Sequence, residues 1–336
     1  MQRLLSMTAA LLTLLAPPAF GRQQQPACAE FQRKLKATYD FKPSRLTEAE
    51  RDVKSAAMDV FWKEAEGKRG ETLPCLRTAL GDARSDPWFL FDGANLLVAL
   101  DPSPASEAVQ ARQYAAVDLD DVNLAVWVTT LARLGAEGHD VSEAGARWLA
   151  HPKATYYLPQ HGAYKVERLL GGIFIFGSMD EARATPALLK LAASAAHPGR
   201  EQAISLLLMQ ATPEAVEGLK RLDRAGLPPG AQAVLREHLE RPRVITPRVK
   251  PKTSRARFLK AFERAAAGDW EEFGLLVAEV PDGEKDVVAV LKPEDLPLVR
   301  RVRRRMIARA NPHAAEYYVS FTQILTTLIS RPETKI

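Results

Sequence analysis

The sequence contains few of the residues that usually mark a catalytic centre. Among 336 residues there are 2 cysteines and 6 histidines, and no two histidines have the spacing of a zinc-hydrolase motif. A serine-hydrolase elbow, a P-loop and a dinucleotide-binding glycine loop are also missing from the sequence. We therefore expect no metal site and no cofactor, and the sequence does not favour an enzyme.

Aromatic residues make up only 7% of the chain, and no charge of one sign dominates, since 46 Lys and Arg face 41 Asp and Glu. This balance excludes a disordered acidic or basic tail protein. Alanine and leucine are the abundant residues, with 52 and 42 copies. Because both are strong helix formers, we predict an all-α protein.

Signals for helix starts recur along the chain. Residues Thr47 to Glu50 and Ser178 to Glu181 have the capping-box pattern, and Ser103 precedes a first-turn proline. The only strand candidates are two short apolar runs, 173–176 and 287–291. Neither run is followed by a hairpin signal, so we interpret both as buried helix faces or extended connectors.

One helix-start pattern repeats. Thr185-Pro186 and Thr212-Pro213 place a capping residue before a proline 27 residues apart, and between them Arg200 to Leu207 reads Arg-x-x-Ala-x-x-Leu-Leu. Over about residues 180–240 this alternation resembles HEAT-like repeats. The resemblance implies an α-solenoid of stacked antiparallel helix pairs, followed here by a C-terminal helical subdomain.

The first residues resemble an export signal. Residues 1–21 combine Arg3, an apolar run from Leu4 to Leu15 and a small-residue cleavage site, so we predict a cleaved signal peptide and a periplasmic or secreted protein. No later run is long enough to predict a transmembrane segment.

In an oxidising compartment the isolated pair Cys28 and Cys75 predicts a disulfide, with two unpaired thiols as the alternative.

A basic, proline-rich segment divides the chain. Residues 241–257 carry seven positive charges, no negative charge and three prolines, which favours an extended linker. We therefore predict a helical repeat domain at 22–240 and a helical subdomain at 258–336. Their net charges are −3 and 0, so the positive net charge of the chain comes mainly from the linker.

The densest basic feature follows in the C-terminal part. The segment contains five arginines next to a stripe of apolar residues, and these arginines are Arg300, Arg301, Arg303, Arg304 and Arg305. One interpretation is a solvated helix end that pairs with nearby acids. The other is an anion-binding face for an envelope polymer or an acidic protein, because guanidinium groups bind phosphate and carboxylate.

A second candidate is an aromatic cluster formed by Tyr156, Tyr157, His161 and Tyr164. Such rings could line a groove for a sugar or a peptide, or they could be rim residues between two helices. An enzyme acting on a polysaccharide or peptide would need Glu167, His161 and another acid to converge there.

From these features we expect an exported helical-repeat scaffold that binds an unidentified protein or an anionic envelope polymer. An envelope enzyme is the alternative. We do not expect a nucleic-acid partner, because of the export signal and because no aromatic residues interleave with the arginines. The oligomeric state is left open by the sequence.

Overall fold

The computed structural model describes residues 26–39, 46–81, 87–120, 122–152, 154–158, 164–224, 226–279, 283–311 and 313–331. The predicted signal peptide, residues 1–21, lies outside this part of the chain. About 74% of the described residues are helical, which confirms the all-α fold. The arrangement as a solenoid, and the likeness to HEAT-like repeats, stay predictions.

The helices, in chain order, are α1 Pro26–Tyr39, α2 Glu48–Gly67, α3 Arg69–Leu80, α4 Pro87–Leu100, α5 Pro104–Ala116, α6 Leu124–Ala136, α7 Ser142–Ala150, α8 Arg168–Ser178, α9 Glu181–Ala193, α10 Arg200–Gln210, α11 Pro213–Lys220, α12 Pro229–Glu240, α13 Arg255–Ala266, α14 Glu271–Glu279, α15 Gly283–Val290, α16 Leu296–Ile307 and α17 Ala314–Ile329. Among the described residues, no helix has both the length and the apolar character needed to cross a bilayer.

Three of the predicted helix starts are confirmed by their caps. Thr47 and Glu50 form both hydrogen bonds of a capping box at the start of α2. The Ser103 side chain accepts from the Ser106 N–H at α5, and Thr212 accepts from the Ala215 N–H at α11.

Two predicted helix starts are wrong. Asp180 caps α9 by accepting from the Ala182 N–H, whereas Ser178 ends α8 and donates to the Ile175 carbonyl. Pro186 lies inside α9, so the first Thr-Pro pair continues a helix while the second begins one. Local capping chemistry at Asp180 has therefore overridden the proline signal five residues later.

A small β-hairpin interrupts the helices. Strand β1, Thr155–Leu158, pairs antiparallel with β2, Tyr164–Glu167, and Tyr156 stands opposite Val166. Both of these side chains are buried, while Lys165 and Glu167 are exposed, as expected for a strand with one face on the core. The sequence analysis missed this hairpin. The two runs considered as strand candidates there lie mainly in α8 and α15.

The buried apolar side chains form two clusters that meet at α4. Phe89 belongs to the smaller cluster, which α1 to α4 build, and Phe91 belongs to the larger one. The larger cluster includes Leu207 from before the basic segment and Phe258 and Leu325 from after it. The helices on either side of the segment thus share one core, and the domain boundary placed there stays a prediction.

The basic segment is an ordered connection against the C-terminal helices. Residues 241–254 contain neither helix nor strand, and α13 begins at Arg255, two residues before the predicted end of the linker, because Ser254 caps it. The Ile245 N–H donates to Thr327 Oγ1 at 2.8 Å, and Arg248 pairs with the buried Asp286 carboxylate at 3.2 Å. At least one positive charge of this segment, that of Arg248, therefore helps to hold the segment against the C-terminal helices.

The predicted disulfide is confirmed. Cys28 in α1 is bonded to Cys75 in α3 across a sequence separation of 47 residues, with the two Cα atoms 5.0 Å apart. The Cys75 side chain is buried in the N-terminal part of the chain. The bond ties the first helix of the smaller core to its third.

Replacing both cysteines with serine should destabilise the N-terminal helices first. On the chain-entropy account, opening a loop of this size lowers the free energy of unfolding by roughly 4 kcal/mol. Urea unfolding followed by circular dichroism measures the change. Two reactive thiols in the unfolded, non-reduced wild-type protein would contradict the disulfide itself.

One half-buried ionisable group lies where the two cores meet. Asp92 lies on α4 close to Tyr39 of α1 and Tyr114 of α5, and burial raises the pKa of its carboxyl to about 7. The folded protein therefore holds this proton more tightly than the unfolded chain, whose Asp pKa is about 3.9. It follows that the free energy of unfolding should fall as the pH rises from about 4 to about 7.

The Asp92→Asn variant should remove this dependence. Above about pH 7, where wild-type Asp92 must be buried as a carboxylate, we expect the variant to be more stable by roughly 2–4 kcal/mol. Chemical denaturation across the pH range is the measurement. An equal loss of stability in both proteins between pH 4 and pH 7 would show that another group is responsible.

Candidate functional site

The five arginines of α16 do not form one exposed face. Arg301 and Arg305 are exposed, whereas Arg303 is 2% exposed and Arg300 and Arg304 are largely covered. The covered three point towards α9 and the end of α10, so neither a fully solvated helix end nor a continuous anion-binding row describes this helix.

A single carboxylate receives the three inward arginines. Glu181, the first residue of α9, lies 3.2 Å from Arg303 and 3.6 Å from Arg300, and it also pairs with Arg304. Asp180 adds a contact to Arg304 at 3.7 Å. We call Glu181, Arg300, Arg303 and Arg304 the arginine cluster. Sequence reasoning missed Glu181 as its acid, because it lies more than a hundred residues away along the chain.

The charge excess of the arginine cluster is taken up by backbone carbonyls. Arg300 donates to the carbonyls of Gln210 and Ala211 at 3.1 and 2.8 Å, and Arg303 donates to the carbonyl of Met209 at 2.8 Å. These carbonyls end α10, where the chain turns through a left-handed residue, Ala211, with φ of 52°. Cations are favoured at this end of a helix by its dipole.

Arg303 also fixes α17. Its guanidinium lies 4.7 Å from the centre of the buried Tyr318 ring and donates to Thr322 Oγ1 at 3.2 Å. The Tyr318 ring in turn rests on Gly177 of α8, where an added Cβ would lie 2.8 Å from it. The absence of a side chain at this glycine is therefore what lets α17 approach α8.

Opposing effects set the ionisation of Glu181. Burial acts to raise its pKa, but attraction by Arg303, Arg304 and Arg300 outweighs burial, and the pKa is lowered from its ordinary value. A lowered carboxyl pKa means that the ion pair stabilises the fold above the unfolded Glu pKa of about 4.3 and that this stabilisation is lost as the pH falls below it.

The aromatic candidates do not line an open groove where the structure describes them. The Tyr156 side chain is buried against Trp148, with ring centres 5.9 Å apart, and its hydroxyl has no hydrogen-bond partner. Burial raises its pKa. Tyr157 and Tyr164 lie in the hairpin strands, but their side chains, like all of His161, lie outside the described part of the structure.

Glu167, the acid required by the enzyme hypothesis, is exposed and lies 2.8 Å from Lys165. Its hydrogen bond with Lys165 lowers its pKa, whereas a general acid needs a raised one. Within the residues that the structure describes, no group of three or more His, Cys, Asp or Glu side chains is arranged to hold a metal ion.

A further candidate site is an apolar cleft that the sequence did not indicate. It has a volume of about 660 Å³ and lies between α10, α11 and α12 on one side and α17 on the other. Its apolar wall residues are Leu208, Met209, Val216, Val234, Val319 and Ile329. The volume falls in the range of about 300–1,000 Å³ that ligand pockets have.

Polar and charged residues also line this cleft. Glu217 pairs with Lys220 at 2.7 Å on α11, and Glu237 lies 3.7 Å from Arg243 beyond α12. Thr322, in the wall, accepts the hydrogen bond from Arg303. The arginine cluster therefore lies directly behind the cleft and holds α17 in the position that forms it.

Comparison with known proteins identifies no relative: no family model, no curated protein and no solved structure matches this chain. The site must therefore be interpreted from its own geometry.

Changing Glu181 to Gln should destabilise the protein strongly. Arg300 and Arg303 would lose the one acid that pairs with them among the described residues, and Arg304 would keep only Asp180. Breaking a buried ion pair in this way costs about 3–5 kcal/mol. Urea unfolding measures the effect. The matched control is Arg301→Gln on the exposed side of α16, where we expect a change within about 0.5 kcal/mol. A Glu181→Gln variant as stable as the control would show that the arginine cluster does not hold the fold.

Proposed function

We propose that this protein is an exported helical scaffold that binds a partner protein by taking an amphipathic helix of that partner into the apolar cleft. The cleft itself is the observation that carries the proposal. Val234 and Val319 line it and remain 41% and 45% exposed. Covering such side chains is a favourable source of binding free energy.

Two features favour an amphipathic helix as the occupant. The cleft is open to water along α12 and α17, where several of its lining side chains are exposed. An acyl chain lying there would stay partly hydrated, whereas a helix turns its polar face outwards. Charges of both signs lie along the α11 and α12 side of the cleft, at Glu217, Lys220, Glu237 and Arg243, and can pair with the polar side chains of such a helix.

Export is supported by two observations. The predicted signal peptide at 1–21 is one, and the Cys28–Cys75 disulfide, which suits an oxidising compartment, is the other. Anionic envelope polymers remain possible partners of exposed arginines, but the cleft is apolar and does not suit them. The exposed, ion-paired state of Glu167 gives the enzyme alternative no support.

Single charges placed in the cleft should weaken binding. The probe is a synthetic amphipathic helix with one leucine face and mixed Lys and Glu on the other, titrated by fluorescence anisotropy. Val234→Asp or Val319→Asp should weaken its affinity roughly tenfold or more, because a carboxylate would be buried against the apolar face.

The matched control is Val126→Asp on α6, since Val126 is 40% exposed and lies outside the cleft. This variant should bind like wild type, and melting curves should show all three variants folded. Palmitate provides the comparison with an acyl chain. Binding of palmitate but not of the peptide, or equal weakening by the control, would contradict the proposal.

A further inference from the structure

A second, smaller cavity lies on the other side of α16. It has a volume of about 260 Å³ and is lined by Arg133 of α6, by Arg305 and Arg309 at the end of α16, and by Trp270. Ala136 and Gly268 complete the wall without filling it, and an added Cβ at Gly268 would meet only open space. Three guanidinium-bearing residues thus converge on one recess.

The arginine from α6 is held in place by its own partners. Arg133 donates to Glu107 Oε1 and to Glu137 Oε2, each at 2.6 Å, and to Gln110 Oε1 at 2.9 Å. His139 contacts the other Glu107 oxygen at 3.1 Å. The charge of Glu107 is therefore engaged behind the cavity by Arg133 and His139.

Arg305, near the end of α16, and Arg309, two residues after it, are not neutralised by an ion pair in the described part of the chain. Across the described residues, no carboxylate forms an ion pair with Arg305 or Arg309. The Arg309 guanidinium lies over the Trp270 ring, 5.5 Å from its centre, which orients the group at the cavity. Arg305 interacts electrostatically with Glu137, which already forms an ion pair with Arg133.

The acids beside the recess are fewer than its arginines. Burial raises the pKa of Glu137, and the neighbouring Glu107 carboxylate raises it further, against the attraction of Arg133 and Arg305. Because Glu107 and Glu137 both pair with Arg133, the charges of Arg305 and Arg309 leave an excess of positive charge in the recess.

We infer that this cavity, which we call the α6–α16 pocket, is a binding site for a phosphate monoester group. A carboxylate has two oxygens and one charge, which one guanidinium fork satisfies. A phosphate monoester has three terminal oxygens and a charge of about −1.5 to −2 at neutral pH, which matches the two guanidinium groups, Arg305 and Arg309, that form no ion pair within the described residues. The remaining volume, bounded by Trp270 and the small residues, accommodates the group that carries the phosphate.

This chemistry can come from a soluble phosphorylated molecule or from a lipid headgroup. Two probes distinguish these sources: inorganic phosphate, measured by isothermal titration calorimetry, and vesicles of equal parts phosphatidylcholine and phosphatidic acid, measured by co-sedimentation. The full mature chain is used in both. Vesicles of phosphatidylcholine alone give the background.

Arg305→Gln and Arg309→Gln should each weaken binding of the responding probe roughly tenfold or more, because each removes a charge-assisted hydrogen-bond donor. Arg309→Lys, which keeps the charge but loses the fork and most of the stacking on Trp270, should fall between Arg309→Gln and wild type. Added salt should weaken binding further, since both residues are exposed.

The matched control is Arg301→Gln, on the same helix and exposed but outside the pocket. It should leave the affinity within about twofold of wild type, and melting curves should show that all variants fold. Equal losses in Arg301→Gln and Arg305→Gln would overturn the inference, since they would indicate nonspecific attraction to a basic helix. Failure of wild type to bind either probe would overturn it as well. Neither result bears on the apolar cleft, which lies on other helices.

Discussion

The burial of Arg303 beside Glu181 is the constraint on which the C-terminal half of the structure depends. A guanidinium that is 2% exposed must have its charge and its donors satisfied where it lies. The two Nη atoms of Arg303 find partners because the start of α9, the end of α10 and the side of α17 all lie around α16, while its Nε has no hydrogen-bond partner. A buried ion pair adds little net stability, but leaving one of its charges buried without a partner costs several kcal/mol. Arrangements of these helices that separate Arg303 from Glu181 are therefore strongly disfavoured.

Both candidate sites follow from that arrangement. With Arg303 directed at α10, α17 lies along α10 with Thr322 bonded to Met209, and the space left between α17 and the helices α11 and α12 is the apolar cleft. The same orientation of α16 turns Arg305 and Arg309 towards α6 and Trp270, where they line the α6–α16 pocket. The inward arginines of α16 are paired with Glu181 and with backbone carbonyls, whereas Arg305 and Arg309 form no ion pair within the described residues.

The N-terminal helices are stabilised differently. Their core is smaller, and the Cys28–Cys75 bond adds a covalent constraint between α1 and α3. An internal weakness lies where this core meets the larger one, at Asp92, whose carboxylate is disfavoured by burial. Helix α4 belongs to both cores through Phe89 and Phe91. Unfolding of the N-terminal core would therefore also disturb the packing of Phe91 in the larger core.

The sequence by itself determined the helical class, several helix starts and the disulfide, because composition, capping and the pairing of two lone cysteines are local or nearly unambiguous signals. It misplaced the start of α9, because Asp180 and Thr185-Pro186 are both helix-start signals and lie less than two helical turns apart. It could not assign the arginines of α16, because periodicity shows only that Val299, Val302 and Met306 are buried. Which arginines are buried with them depends on Glu181, more than a hundred residues away. The cleft and the pocket are likewise spaces between segments distant in sequence, and only tertiary packing decides where such spaces remain.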